Sequence, residues 1–197
     1  MTTAAIPPER YAERLERARA VAATAGVGAL LIGVGADLRY LAGYGAMPLE
    51  RLTLLVVPSA PASPITLIAP RLEATPARAC PAAMIGAVSV ATWEETEVPM
   101  DLVALVLTRS SGQTAAPIES VAVSDGMRAA FVLGLQRVLP DASFSLASAV
   151  LRELRMRKDA EEIALLRDAA YAADRVVAQV AAGPLIGRTE ADVAHEV

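Results

Sequence analysis

Apolar positions along this chain recur at three- and four-residue steps in some stretches and run unbroken in others. The first spacing fits one face of a helix, and the second fits a buried strand. Over residues 9–24, Tyr11, Leu15, Ala18, Val21 and Ala22 share one face of a charged segment, and Gly26 ends it. Residues 27–32 are a short apolar run, read as a buried strand, with a turn after it at Gly33-Val34-Gly35. Residues 52–57 and 65–68 give two further strands. The proline-rich segment 58–64 between them suits a hairpin with an irregular loop. Residues 71–79 predict a helix interrupted by Pro76, and residues 87–91 another strand.

The middle of the chain is less regular. Residues 101–107 fit a helix or a strand; the leading Asp101 and the polar loop before it favour the helix. Residues 120–124 predict a strand, which Asp125-Gly126 turns back. Residues 128–139 predict a helix with Phe131, Leu135 and Val138 on one side. Residues 142–148 read as extended and 150–157 as helix. Strands and helices thus alternate through about residue 150, which argues for an α/β domain.

The strongest start signal follows. Asp159 and Glu162 stand three residues apart, ahead of Ile163, Leu166, Ala169, Ala170, Ala173, Val176, Val177 and Val180. That is an Asp version of a capping box before an amphipathic helix. Gly183-Pro184 ends it, with Gly183 expected in the left-handed cap. Taken alone, this pattern describes an ordinary helix with a good start. Thr189-Glu190-Ala191-Asp192 marks another start.

The wording around that junction adds more. Arg155-x-x-Lys158-Asp159-x-x-Glu162-Ile163 resembles the phrase that joins the two domains of the Xaa-Pro peptidase and creatinase family, the "pita-bread" metallopeptidases. Lys158 is the chain's one lysine; the other 17 basic residues are arginine. Asp37-x-x-Tyr40-Leu41-Ala42-Gly43-Tyr44 is similar to a second phrase of that family, and Gly187-Arg188-Thr189-Glu190 to a third. The resemblance implies an α/β fold with a mixed sheet flanked by helices over residues 1–150. Over residues 151–197 it implies a linker helix and the first helices of a catalytic domain. A chain that stops at Val197, inside a starting helix, is expected to be a truncated product.

Function is expected on the same footing. The family's peptidases, aminopeptidase P and prolidase among them, hydrolyse bonds next to proline in small peptides. They use two divalent metal ions (manganese, cobalt or zinc) held by two Asp, one His and two Glu of the catalytic domain. None of those ligands is matched here, so this chain is expected to hold no cofactor and to be inactive alone. A homodimer in the cytoplasm is the expected setting. Asp37, Arg39 and Tyr40 are expected near substrate, since the turn carrying this phrase points toward a substrate-binding region in assembled members. Leu38, Tyr40 and Leu41 packing the end of the first strand with Arg39 solvated is the favoured reading on the residues alone, and Asp37 is a candidate cap. Two other parents stay open: a non-catalytic interaction domain, and a creatine-type amidinohydrolase that needs no metal.

Composition narrows the classes. The 197 residues are 54% hydrophobic, with a net charge of -4 and a pI near 5.1. That balance argues against a nucleic-acid backbone partner. No run approaches the roughly 18 apolar residues of a membrane span, and the first ten residues lack the form of a secretory signal. The single Cys80 forms no internal disulfide. His195, beside Glu196, reads as a solvated helix residue, and Glu94, Glu95 and Glu97 as a charged loop. Gly33-x-Gly35 after a strand hints at a nucleotide fingerprint. Leu38 stands where its third glycine belongs, and no clean helix start is expected after it.

Overall fold

The structure is a computed structural model that describes residues 6–61, 63–110 and 118–196. Residue 62 of the 58–64 loop lies outside that set. Two compact units divide the chain, one of them Pro7–Arg157 and the other built on Lys158–Val197. The first unit runs through Arg157. Residues 151–156 lie in a helix whose Val150, Leu151 and Leu154 are buried with the first unit.

The first unit is a layered α/β domain. Its strands are β1 (Ala29–Gly33), β2 (Leu54–Pro58), β3 (Thr66–Pro70), β4 (Ser89–Trp93), β5 (Ser120–Val123) and β6 (Ser143–Leu146). They form one six-stranded sheet in the order β4-β3-β2-β1-β5-β6. Only β2 runs against its neighbours; the β1–β5, β3–β4 and β5–β6 pairs are parallel. The sheet is therefore mixed, as expected. In the centre, β2 and β3 are buried along their whole length. That is why their sequences show continuous apolar runs and no alternation.

Two helical layers cover the sheet. On one face, α5 (Pro99–Ser110) and α6 (Ala129–Val138) close over Leu31, Leu54, Val56, Ile68 and Val121. Trp93 joins that core, and its buried indole N–H donates to the Leu52 carbonyl at 3.0 Å, which satisfies the one polar atom it brings inside. The other layer is built on α1 (Pro8–Thr24), which packs on β1 and β2. Helices α2 (Ala36–Ala42), α4 (Pro81–Met84) and α7 (Ser148–Met156) pack around α1. Tyr11, Leu15, Ala18 and Ala22 are buried as the periodicity predicts, and so are Arg14 and Arg19.

Several local expectations need correction. Residues 36–42, read as a turn, form helix α2, and it starts directly after Gly35. Pro76 does not interrupt its helix. A 3-10 turn (Arg71–Glu73) leads into α3 (Ala74–Arg78), and Pro76 sits in the first turn, where its missing N–H costs no bond. Short α4 was not anticipated. Gly183 ends its helix with φ -85° and ψ 160°, an extended conformation and not the left-handed one.

The second unit holds α8 (Ala160–Ala182) and α9 (Glu190–Glu196). The capping box is present: the Glu162 N–H donates to Asp159 Oδ1 at 2.8 Å, and the Asp159 N–H donates to Glu162 Oε2 at 3.0 Å. Thr189 and Asp192 make the same reciprocal pair ahead of α9, at 2.9 and 3.2 Å. The Thr189 N–H and, at 2.7 Å, its hydroxyl both donate to Asp192 Oδ2 and hold that carboxyl below its ordinary range. No residue of α8 is buried, and Ile163, Leu166, Tyr171 and Val177 are exposed.

Candidate functional site

The phrase at residues 37–44 occupies α2 and the residues after it. Leu38 and Leu41 are fully buried and anchor the helix against the sheet. Gly43 follows in the left-handed conformation, φ 70°, where a side chain would meet the Pro81 ring at 2.8 Å. Glycine is thus required there by both backbone and space. Tyr44 is buried beside Glu73. Burial first, and the Glu73 carboxylate second, push its phenol up to about 12.

The three residues expected near substrate have different surroundings. Arg39 is exposed. Asp37 does not cap α2; Gly35 stands at the cap without a side-chain bond. Its carboxylate instead meets the Arg155 guanidinium of α7 at 2.7 Å. The Tyr40 hydroxyl donates to the Leu154 carbonyl, also on α7, at 3.2 Å. The two phrases that suggested the family, 118 positions apart at Asp37 and Arg155, therefore meet in space. Sequence reasoning could not pair them, because the sheet order brings them together.

Arg14 completes this corner. It is buried, with its guanidinium 4.4 Å from the centre of the Tyr40 ring and 5.5 Å from that of Tyr11. It also donates to the Tyr40 carbonyl at 3.2 Å. Aromatic faces and a carbonyl offset the desolvation of the charge. The only early signal was its position on the apolar face of α1.

A small crevice lies at the carboxyl ends of β1 and β5. After β1 the chain turns toward β2; after β5 it turns the other way, toward β6. Such a divergence leaves an opening between the two outgoing loops, the usual ligand position in open α/β sheets. Here Gly33 and Val34 form one wall, and Gly126 and Met127 the other, around about 60 Å³. Arg51 and Arg128 also line it. Arg51 pairs with Glu95 at 2.9 Å, and Arg128 donates to the Leu49 carbonyl at 3.1 Å. The partial Gly33-x-Gly35 signal thus belongs to a loop that borders a crevice, although α2 behind it has only seven residues.

The remaining candidates serve structure. Glu94 pairs with Arg71 at 2.7 Å, and Glu97 accepts from the Glu94 N–H at 2.7 Å. His195 is exposed, with Nδ1 2.6 Å from the Ala191 carbonyl. Among the described residues no three His, Cys, Asp or Glu side chains come together as metal ligands.

Comparison with known proteins agrees with this architecture. Residues 14–157 match the model of the creatinase/prolidase N-terminal domain, and the chain belongs to that family. It is 43% identical over 189 residues to the probable dipeptidase PepE of Mycobacterium bovis, covering 96% of this chain and 48% of the relative. The crystal structure of dipeptidase PepE from Mycobacterium ulcerans is 40% identical with a TM-score of 0.83, covering 98% of this chain and 49% of that one. A prolidase from Thermococcus sibiricus is 25% identical with a TM-score of 0.77, over 98% of this chain and 48% of its own. The chain spans about half the length of the relatives it matches.

Proposed function

We propose that this chain forms the amino-terminal half of an Xaa-Pro-type dipeptidase, a cytoplasmic homodimer that cleaves small peptides next to proline. The observation that carries the reading is the 43% identity, held over 96% of the chain, to one half of a probable dipeptidase. In this reading two divalent metal ions, manganese, cobalt or zinc, are held by the other half. This chain alone is then inert. No helix among the described residues is long and apolar enough to cross a membrane, which suits a substrate met in water.

In the same reading, the α2 phrase stands near substrate in the assembled parent. Arg39 is its exposed cation and suits a peptide carboxylate, while Asp37 and Tyr40 hold the helix that presents it. Arg51 and Arg128 line the crevice beside the loop that leads into α2.

The test compares the 197-residue chain with a polypeptide carrying both halves, each assayed on an Xaa-Pro dipeptide with manganese, cobalt or zinc. The longer form is expected to hydrolyse it and the shorter form not. Arg39→Gln in the longer form should raise KM more than it lowers kcat. Metal-dependent hydrolysis by the 197-residue chain alone, or creatine as the substrate of the longer form, overturns the reading.

A further inference from the structure

Helix α7 is held at both ends, and the two holders belong to the two sides of the crevice. At its first residue, the Ser148 N–H donates to Asp125 Oδ1 at 3.1 Å. Ala147, in the cap position, offers no side-chain bond, so Asp125 supplies the cap from another element. Asp125 sits in the loop leaving β5, next to Gly126 of the crevice wall. At the other end, the Leu154 carbonyl accepts from Tyr40, and Arg155 pairs with Asp37. Both partners are on α2, which begins right after the Gly33-Val34-Gly35 loop of the opposite wall. A carboxylate at the amino end and a paired cation in the last turn also suit the helix dipole.

The helix has nine residues, fewer than an isolated helix needs to persist in water. Its order therefore depends on its buried side chains and on these end contacts. Val150, Leu151 and Leu154 seat it next to α1.

We propose that α7 is a coupling element that spans the crevice loops. A change in the spacing of the two loops pulls on both ends of α7, and so reaches Arg157, the last residue of the first unit. Asp125, Asp37 and Tyr40 are its positioning residues. The inference stands on contacts within the first unit and is independent of the peptidase reading.

Amide hydrogen exchange on the full 197-residue chain tests it, with Asp125→Ala, Asp37→Ala and Tyr40→Phe. Each variant should speed exchange along the whole of residues 149–157 by about three- to tenfold, the effect of one lost hydrogen bond or ion pair on a local opening. Amides of β1 and β2 should stay within about twofold, which shows that the fold persists. The charge-swapped pair Asp37→Arg with Arg155→Asp should return exchange toward the parent level. In chain labelled at methionine methyls, Tyr40→Phe should also shift the Met127 resonance in the crevice wall. Faster exchange confined to the substituted end of α7, or no change in any variant, overturns the coupling. So does an unmoved Met127 resonance. Tyr40→Phe keeps the ring and removes one oxygen, so it keeps the test decisive if a charge variant fails to fold.

Discussion

Asp159→Ala isolates what the start of α8 contributes. The Asp159 carboxylate accepts from the Glu162 N–H at 2.8 Å, one of the amide groups in the first turn that have no partner within the helix. Losing that acceptor costs about 1 kcal/mol, within a range of roughly 0.5–2. Losing the negative charge at the positive end of the helix dipole adds about 0.3–1 kcal/mol. Asp159→Asn keeps an acceptor and loses only the charge, so it should cost the second amount alone. No residue of α8 is buried, so packing does little to mask the effect. Hydrogen exchange of the amides in residues 162–166 is the direct assay, because the opening equilibrium is read where it occurs. The expected acceleration is about fivefold or more for Asp159→Ala and about twofold to fivefold for Asp159→Asn. Equal exchange in the parent chain and Asp159→Ala would refute the capping argument and move the helix start elsewhere.

Three further outcomes are expected. Gly43→Ala should destabilise the first unit by about 2 kcal/mol or more, from left-handed strain plus contact with the rigid Pro81 ring 2.8 Å away. Gly86→Ala, with φ 75° and open space around it, should cost about 1 kcal/mol, and equal denaturation midpoints for the two would sink the packing part of the argument. Tyr44 should ionise only near pH 12 by absorbance titration; because its folded pKa is raised from 10.0, its stabilisation is complete below pH 10 and lost as pH rises toward 12. A Tyr44 titration at 10 would contradict its burial. Finally, Leu166 and Val177 on α8 are 57% and 66% exposed, and an apolar stripe favours self-association. Sedimentation should show concentration-dependent dimers that Leu166→Glu with Val177→Glu weakens, and a strict monomer at high concentration would refute this.

Much of the fold was legible because its signals are local. Apolar runs marked the central strands, three- and four-residue spacing marked α1, α6 and α8, the leading Asp101 and the polar loop before it favoured a helix at α5, and two carboxylates three apart fixed the start of α8. The corrections have local causes too. Proline is tolerated in a first helical turn, so Pro76 gave a false stop. The 36–42 segment has only two turns of periodicity, too little to tell a helix from a turn. Gly183 permits a left-handed cap without requiring one.

The candidate site was legible only as residue identities. The sequence by itself determined that Asp37, Tyr40 and Arg155 belong to two recognisable phrases, and that the chain is an α/β domain followed by a capped helix. What joins those phrases was decided by the order of strands. Because β1 lies between β2 and β5, the loop after β1 faces the loop after β5, and α7 bonds both to the second loop at Asp125 and to α2, which follows the first, at Asp37. Pairing at a separation of more than a hundred residues leaves no periodic trace, since periodicity records which face of an element is buried and not which element buries it. The same reason hid Arg14 and Arg19. Their positions on α1 were plain, but the rings and carbonyls that let charged groups sit inside come from elsewhere: Tyr40 for Arg14 and the Ser63 carbonyl, 2.7 Å away, for Arg19.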